Sequence, residues 1–573
     1  MRILLLAHSF NSLTQRLWVE LTDAGHDLSL EFDVRDSVTV EAVRMFAPDL
    51  IVAPFLKRAI PEDVWKHHRC IVVHPGIEGD RGPSALDWAV LEGESRWGVT
   101  ALQANAEMDA GDIWASVEFD MRPASKGSLY RNEVTEAAVE AVRVTIARIA
   151  AGAAPEPLDY GRPEVRGRPR PLMRQPDRAI DWQRDDGATV LRKIRCADGV
   201  PGVADRVLDL PVHLYDAHPE GELRGAPGAV IAQRHGAICR ATRDGAVWIT
   251  HLKASLDEER PFKLPAAMVL GARLAGVPEV PVAIDAGSDA VTWRDIRYEE
   301  FRDVGVLHFP FYNGAMSTSQ CERLIAAYRH ACGRPVRVIV LAGGTDFWSN
   351  GIHLNVIEAS PQAAEESWRN INAIDDLAAA ILTTTSHLTV SALQGNAGAG
   401  GVFLALAADR VVARSGVVLN PHYKGMGNLY GSEYWTYLLP RRVGTDGAKR
   451  LTDARLPLGT SAAQAIGLID AHFGDTPAAF LAETITQAQD LAGAGFERRL
   501  ADKRARRAAD EAEKPLAAYR SEELERMRLN FFGFDPSYHV ARSNFVRKVP
   551  KSRTPLYLAR HRSRRPAGER APG

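Results

Sequence analysis

The chain has 573 residues, 46% hydrophobic and 25% charged, with 70 lysines and arginines against 72 aspartates and glutamates. At about 100–200 residues per domain this length calls for several cores in one polypeptide, and the composition is that of a folded globular protein, which excludes a wholly disordered or fibrous chain. A net charge of −2 sets up no global field that would recruit nucleic acid or anionic lipid, so small molecules are the expected partners.

The opening run Met1–Leu6 meets His8, Ser9 and Asn11 at once. It is too short for an export signal or a membrane span and reads as a buried first strand over Ile3–Ala7. Ser12 with Gln15 three residues later forms a capping-box pattern opening a helix with Leu13, Leu17 and Leu21 on one face, ended by Gly25. Short apolar runs recur at Leu50–Ala53, Ile71–Val73 and Val99–Leu102 between amphipathic stretches. That rhythm predicts a doubly wound, mostly parallel α/β sheet over residues 1–151, with ligands at its strand ends. Residues 152–176 hold six prolines and several arginines and predict an extended connector. Residues 177–290 carry β-branched runs such as Ala229–Ile231 and Val247–Leu252 between turn residues and predict a small β-rich domain. In residues 291–550 strands at Val336–Leu341 and Leu388–Leu393 alternate with helices and a glycine cluster, ending in a charged helical tract from Phe496 to Arg528. The arginine-rich 551–573 segment, ending in Pro and Gly, is expected to be disordered. Cys70, Cys196, Cys239, Cys321 and Cys332 are odd in number, without CxxC spacing or a histidine cluster. Neither a disulfide framework nor a metal site is expected, and a cytoplasmic location fits.

His74, in Ile71-Val72-Val73-His74-Pro75-Gly76, stands at the carboxyl end of a predicted strand, where open α/β sheets place ligands, and Asp109 lies in a glycine turn, Met108-Asp109-Ala110-Gly111. A His–Asp pair can shuttle protons through a tetrahedral intermediate; on spacing alone a structural histidine is the commoner reading. Residues 1–290 resemble the folate-dependent formyltransferases such as methionyl-tRNA formyltransferase. The motifs, in order, are Pro48-Asp49-Leu50-Ile51-Val52, His74-Pro75 with Arg81-Gly82, Asp109-Ala110-Gly111-Asp112-Ile113, Ile180-Asp181-Trp182, Ile194-Arg195 and Pro201-Gly202. The resemblance puts His74 and Asp109 at the family's catalytic positions and implies 10-formyltetrahydrofolate as formyl donor. Val72 stands where the family has an asparagine. Loss of one oxyanion-type donor costs about 10²–10³ in rate, so either another donor substitutes or the acceptor is easier to formylate than an amine, as a thiol would be.

Residues from about 300 to 550 resemble the enoyl-CoA hydratase/isomerase (crotonase) family, which implies an α/β spiral fold. Val336–Gly343 followed by Trp348-Ser349-Asn350-Gly351-Ile352 matches the first oxyanion-hole loop, and Gln394–Gly401 followed by Leu404–Asp409 matches the second. The resemblance aims the backbone N–H groups of Ile352 and Gly400 at a thioester carbonyl. Phe403 and Leu419 stand where hydratases carry their glutamates. In their place an aromatic stretch, Leu419–Trp435, contains Tyr423 and Glu433, which a dry pocket would tune for proton transfer; aromatic core with a capping acid is the equal alternative.

A formyl-donor site and an acyl-CoA site in one chain share one molecule, formyl-CoA. The two-part order, the Ser12-Leu13-Thr14-Gln15-Arg16 start, the His74-Pro75-Gly76 box and Gly431-Ser432-Glu433-Tyr434-Trp435 resemble the HypX/HoxX family of NiFe-hydrogenase maturation proteins. That resemblance implies formyl transfer from 10-formyltetrahydrofolate to coenzyme A, then decarbonylation of formyl-CoA to carbon monoxide for the hydrogenase iron, with hydrogenase maturation proteins as partners. Gln15, Arg131, Arg195 and Asn313, in motifs near the expected domain junction, and Arg542 in the C-terminal tract are the coenzyme A candidates; surface charge is the alternative for each. The competing functions are a formyltransferase fused to a CoA thioesterase or isomerase, and a non-catalytic maturation scaffold.

Overall fold

The computed structural model describes residues 1–255, 261–287 and 289–563. The chain divides into two compact units, Met1–Val280 together with the segment from Pro550 onward, and Pro281–Val549.

In the first unit the strands β1 (Arg2–Ala7), β2 (Asp27–Phe32), β3 (Leu50–Phe55), β4 (Cys70–His74), β5 (Arg96–Gln103) and β6 (Ile113–Asp120) form a sheet ordered β2-β1-β3-β4-β5-β6. The first four are parallel, β5 runs antiparallel to β4, and β6, antiparallel to β5, again runs with the first four. β1, β3 and β4 are buried almost throughout, which explains their continuous apolar runs. Strand order reverses between β1 and β3, so their carboxyl ends flank the crevice where such sheets bind ligands, with the end of β4 next to it. The helix after β1, Ser12–Asp23, is capped one residue earlier than its sequence pattern predicts: Asn11 Oδ1 accepts from Thr14 N–H at 2.9 Å. Gln15 is therefore not the capping-box partner, and its Nε2 donates instead to Phe10 O at 2.9 Å.

The 152–176 segment is extended and fastened to the sheet domain. Arg81 pairs with Pro169 and Ile113 with Glu156 as isolated bridges, and Arg170 reaches the buried Asp80. The β-rich domain follows, with β7 (Val203–Val207), β8 (Leu210–Glu220), β9 (Val230–Arg234), β10 (Ala237–Ala241), β11 (Ala246–Ala254) and β12 (Leu264–Pro265). They form an antiparallel sheet ordered β7-β8-β11-β10-β9, with β12 on β11.

Residues 551–563 correct the expectation of a disordered tail; Arg564, Arg565 and the residues beyond lie outside the described residues. The segment covers β2, the edge strand of the first sheet. Leu30 N–H donates to Leu558 O at 3.0 Å and Phe32 N–H to Thr554 Oγ1 at 2.8 Å. The fully buried Glu31 takes hydrogen bonds from Thr554 and Arg562 and contacts His561 Nε2 at 3.1 Å. Composition signals disorder in this segment; a buried carboxylate with three partners overrides it. Burial opposes ionisation of Glu31, but the bonds from His561 and Thr554 and the Arg562 charge outweigh it and hold the carboxyl below its ordinary value of 4.5. A depressed acid contributes its stability above its ordinary value and loses it as pH falls through the folded one. Glu31→Gln is thus expected to destabilise the chain by about 3 kcal/mol at neutral pH in urea unfolding, with the deficit shrinking in acid.

In the second unit β13 (Arg297–Phe301), β14 (Val304–His308), β15 (Val338–Gly343), β16 (Phe347–Ser349), β17 (Leu388–Leu393), β18 (Asn396–Gly398), β19 (Arg410–Arg414), β20 (Val418–Asn420), β21 (Leu458–Gly459) and β22 (Ala471–Phe473) build two sheets. One is ordered β13-β14-β15-β17-β19-β22 and the other β16-β18-β20-β21. Successive strands of the first sheet are each followed by a short strand of the second, β15 by β16, β17 by β18 and β19 by β20, which is the expected spiral. The charged helical tract consists of two helices, Phe496–Glu513 and Leu516–Phe532, because Pro515 cannot donate and displaces Lys514 to an extended φ of −150°. Among the described residues no helix is long and apolar enough to cross a membrane.

Candidate active site

The first unit holds a buried histidine–aspartate group. β4 ends on His74, only 4% exposed, and the following turn is pinned by Trp97 Nε1–H to Pro75 O and Thr100 Oγ1–H to Gly76 O, both at 2.9 Å. Gly76 is required, since a Cβ there would stand 2.5 Å from His74 Nε2 and 2.7 Å from Asp80 Oδ1. His74 Nε2 contacts Asp80 Oδ1 at 3.0 Å, and Asp80 Oδ2 accepts from Arg170 Nε at 2.9 Å. On the other side of the ring, Nδ1 faces Asp109 Oδ2 at 3.6 Å. Asp109 has a left-handed φ of +54°, and its Oδ2 also accepts from Gly82 N–H at 3.4 Å. The predicted pair is therefore brought together, with Asp80, which sequence reasoning passed over, as the closer partner. Asp80 lies inside the Gly79-Asp80-Arg81-Gly82 motif, so the signal was present; Arg170, 90 residues on, had none. Val72 packs against the apolar cluster of Leu4, Ile51, Ala53 and Cys70, so the position of the family's asparagine is apolar here.

Of the coenzyme A candidates, Gln15 opens the helix Ser12–Asp23, and Arg131 ends the helix Lys126–Arg131. Asn11 Nδ2–H to Tyr130 OH at 3.3 Å ties these two elements together. Arg195 is half-buried, with Nε donating to Ala217 O at 3.3 Å and Nη1 to Pro123 O at 3.2 Å. In the second unit, Asn313 has a left-handed φ of +55° and its carbonyl accepts from Asn350 Nδ2 at 2.8 Å. Arg542, 6% exposed, donates through Nε to Glu358 at 2.8 Å and contacts His539 Nδ1 through Nη1 at 2.9 Å.

The second unit's own site lies where β18, the helix Gly400–Leu406 and the Leu419–Trp435 stretch meet. Gly351 lies beside Gly400: a Cβ on Gly351 would stand 3.4 Å from Gly400 N. Neither Ile352 N–H nor Gly400 N–H has a hydrogen-bond partner among the described residues, so both amides are available to a carbonyl oxygen. Phe403 and Leu419 are fully buried. Phe403 stacks on Tyr423 with centroids 5.0 Å apart and planes 22° apart, and its ring also lies 6.1 Å from that of Trp435. Tyr423 OH donates to Glu433 Oε2 at 2.5 Å, and Ser432 N–H to the same oxygen at 3.2 Å. The Glu433 carboxyl occupies the space a side chain at Gly400 would need. Gly400→Ala is therefore expected to displace Glu433 and cut turnover by about 10²-fold in a steady-state assay, leaving the fold intact by circular dichroism.

Glu433 and Tyr434 have left-handed φ values of +62° and +59°, a conformation that costs L-residues about 1–2 kcal/mol each. Two buried carboxyls hold this turn. Asp375 Oδ1 accepts from Glu433 N–H at 2.7 Å, and Glu523 accepts from Tyr434 N–H at 2.9 Å and Thr436 N–H at 2.8 Å. Burial, reinforced by the Asp375 charge, pushes the Glu433 carboxyl up to about 8; burial also raises Asp375 to about 7 and Glu523 to about 8. Sequence reasoning missed Asp375 and Glu523. The signal was each acid's place on an apolar helical stripe, Ile371-Ile374-Asp375-Ala378 and Leu516-Tyr519-Glu523-Met527.

Residues 28–146 match the Formyl transferase family, 172–260 the Formyl transferase, C-terminal domain family, and 306–528 the Enoyl-CoA hydratase/isomerase family. The chain is 58% identical to Hydrogenase maturation factor HoxX from Bradyrhizobium diazoefficiens, over 99% of this chain and 98% of that protein. It is 50% identical to HypX from Aquifex aeolicus, whose crystal structure in complex with tetrahydrofolic acid superposes with a TM-score of 0.95 over 98% of this chain and 99% of that one. The N-terminal part is 25% identical to a methionyl-tRNA formyltransferase from Geobacter sulfurreducens, over 43% of this chain and 76% of that protein.

Proposed function

Because this chain belongs to the HypX/HoxX family of hydrogenase maturation factors and joins formyltransferase domains to a crotonase-like domain, we propose that it makes carbon monoxide for the hydrogenase iron in two steps. In the first, the coenzyme A thiol attacks the formyl group of 10-formyltetrahydrofolate. The C–S bond forms, the bond from the formyl carbon to folate nitrogen breaks, and the thiol proton ends on that nitrogen. His74, held by Asp80 and Asp109, handles that proton and the charge on the formyl oxygen. The tetrahydrofolate complex of the Aquifex aeolicus relative supports a folate donor. Gln15, Arg131, Arg195, Asn313 and Arg542 are the residues assigned to coenzyme A, the arginines by the match of their forks to phosphate.

In the second step the formyl-CoA carbonyl lies against the Ile352 and Gly400 amides. Glu433 takes the formyl proton, the C–S bond breaks with its electron pair on sulfur, carbon monoxide leaves, and the proton returns to the thiolate. Tyr423 orients the Glu433 carboxyl. The observation that carries this reading is that Glu433 meets Gly400 in an aromatic wall whose hydratase acid positions are the apolar Phe403 and Leu419, so a proton acceptor is present where water activation has been removed. Carbon monoxide then passes to the proteins that assemble the hydrogenase iron. The test is incubation of the full chain with labelled 10-formyltetrahydrofolate and coenzyme A, with haemoglobin as gas trap. Labelled carbonyl-haemoglobin is the expected product; labelled formate without it would establish a thioesterase instead.

A further inference from the structure

The Glu433 carboxyl is one of three buried against a single turn, and the other two arrive from separate helices, Ala363–Leu382 and Leu516–Phe532. We propose that Asp375 and Glu523 are positioning residues for Glu433, clamping the Ser432–Thr436 turn so that its carboxyl meets Gly400, and sharing one proton between themselves across the Ser432 hydroxyl. The inference rests on the reading of Glu433 as the base that takes the formyl proton.

The clamp follows from where the hydrogen bonds go. Glu433, Tyr434 and Thr436 present their amides to Asp375 Oδ1, Glu523 Oε2 and Glu523 Oε1. Thr436 Oγ1 adds a further bond to Glu523 Oε1 at 2.5 Å. A turn held by acceptors from two helices cannot relax to right-handed dihedrals without leaving those amides buried and unpaired. Its result is visible at the carboxyl. Glu433 Oε2 is taken by Tyr423 and Ser432 N–H, whereas Oε1 has no partner among the described residues and is the oxygen nearest the space above Gly400.

The shared proton follows from Ser432. Its hydroxyl lies 2.8 Å from Asp375 Oδ2 and 3.3 Å from Glu523 Oε2 but carries one hydrogen. With both carboxyls ionised, one contact would be oxygen against oxygen with no proton between; a protonated carboxyl donating to the hydroxyl satisfies both. The surrounding charge agrees. The groups facing the cluster are Tyr423, Tyr430 and Tyr434 from the aromatic stretch, Cys321 from the helix Thr318–Cys332, Asp375 and Asp376 from one helix, Arg520 and Glu523 from another, and Lys514 just before it. Lys514 is bonded to Glu522 at 2.7 Å, which leaves Arg520 as the cation that reaches Asp375. Arg520 gives Nη1 to Asp376 at 2.6 Å and comes within 3.8 Å of Asp375. One guanidinium so placed cannot offset three carboxylates that also repel one another.

The test uses the full chain and supplied formyl-CoA, with carbon monoxide read on haemoglobin across the pH range. Asp375→Asn keeps a carbonyl oxygen for the Glu433 amide and removes only the charge. It should shift the rising limb of the kcat profile to lower pH by about one unit, with KM changed less than about 2-fold. Asp375→Ala removes the clamp as well and should lower kcat by about 10²-fold at every pH. An unmoved profile in Asp375→Asn, or a KM that rises in step with the loss, overturns the proposal. Infrared titration of the unmodified protein keeps the test open where variants fail to fold. A protonated-carboxyl stretch present at neutral pH and lost in alkali is expected, and its absence at neutral pH sinks the shared proton. Should the unmodified protein release no carbon monoxide from formyl-CoA, the functional reading fails while the infrared band still decides whether the carboxyls share a proton.

Discussion

Replacing His74 with alanine should abolish carbon monoxide formation from 10-formyltetrahydrofolate and coenzyme A, by about 10³-fold or more, while supplied formyl-CoA is still decarbonylated. The split arises because His74 belongs to one compact unit and Glu433 to the other, each with its own set of partners. Asp80→Asn should reproduce much of the loss, since it removes the carboxylate that contacts Nε2 at 3.0 Å and leaves the Arg170 guanidinium facing a neutral amide. The two activities are measured separately, by release of tetrahydrofolate and by carbonyl-haemoglobin. Equal loss of both in His74→Ala would mean that the steps do not run in series.

Glu433→Gln should give the complementary result. Formyl-CoA accumulates, carbon monoxide release falls by about 10³-fold, and tetrahydrofolate release continues through at least one turnover. Tyr423→Phe should be milder, about 10-fold, because the Ser432 amide still holds the same carboxylate oxygen. In the unmodified protein a base whose carboxyl is pushed up to about 8 makes the rate climb with pH through that value. The stability sign is opposite. A folded carboxyl above its ordinary value withholds its charge, so each such group weakens the fold as pH rises from the ordinary carboxylate range toward 8. Glu433→Gln should therefore melt no lower than the unmodified chain at alkaline pH, which separates lost chemistry from lost folding.

What could be read from residues alone was what local spacing records. The β1, β3 and β4 runs are continuous because both faces of these strands are covered, and His74 stood out because it ends one of them. The glycine cluster around Gly400 reads by itself as a helix-packing turn, and it was the resemblance to crotonases that singled out Gly400. Contacts between distant segments had no such record. Arg170 sat among prolines that advertised only a connector, and Asp375 and Glu523 each looked like one acid in a helix until their helices met at one turn. The C-terminal tail misled for the same reason. Its arginines and prolines suit solvent, and it is Ser29, Glu31 and Phe32, more than five hundred residues earlier, that make Thr554 and His561 interior groups.

That last arrangement bears on how the chain is made. A ribosome delivers β2 near the beginning and the segment that covers it almost at the end, 529 residues after the serine it contacts. At about 5–20 residues per second, the open margin of the first sheet would wait half a minute to two minutes for its cover, with unpaired amides inviting a neighbouring nascent chain. Messages truncated in the second half would yield products that never bury Glu31, and these should be the ones that chaperones retain and proteases clear.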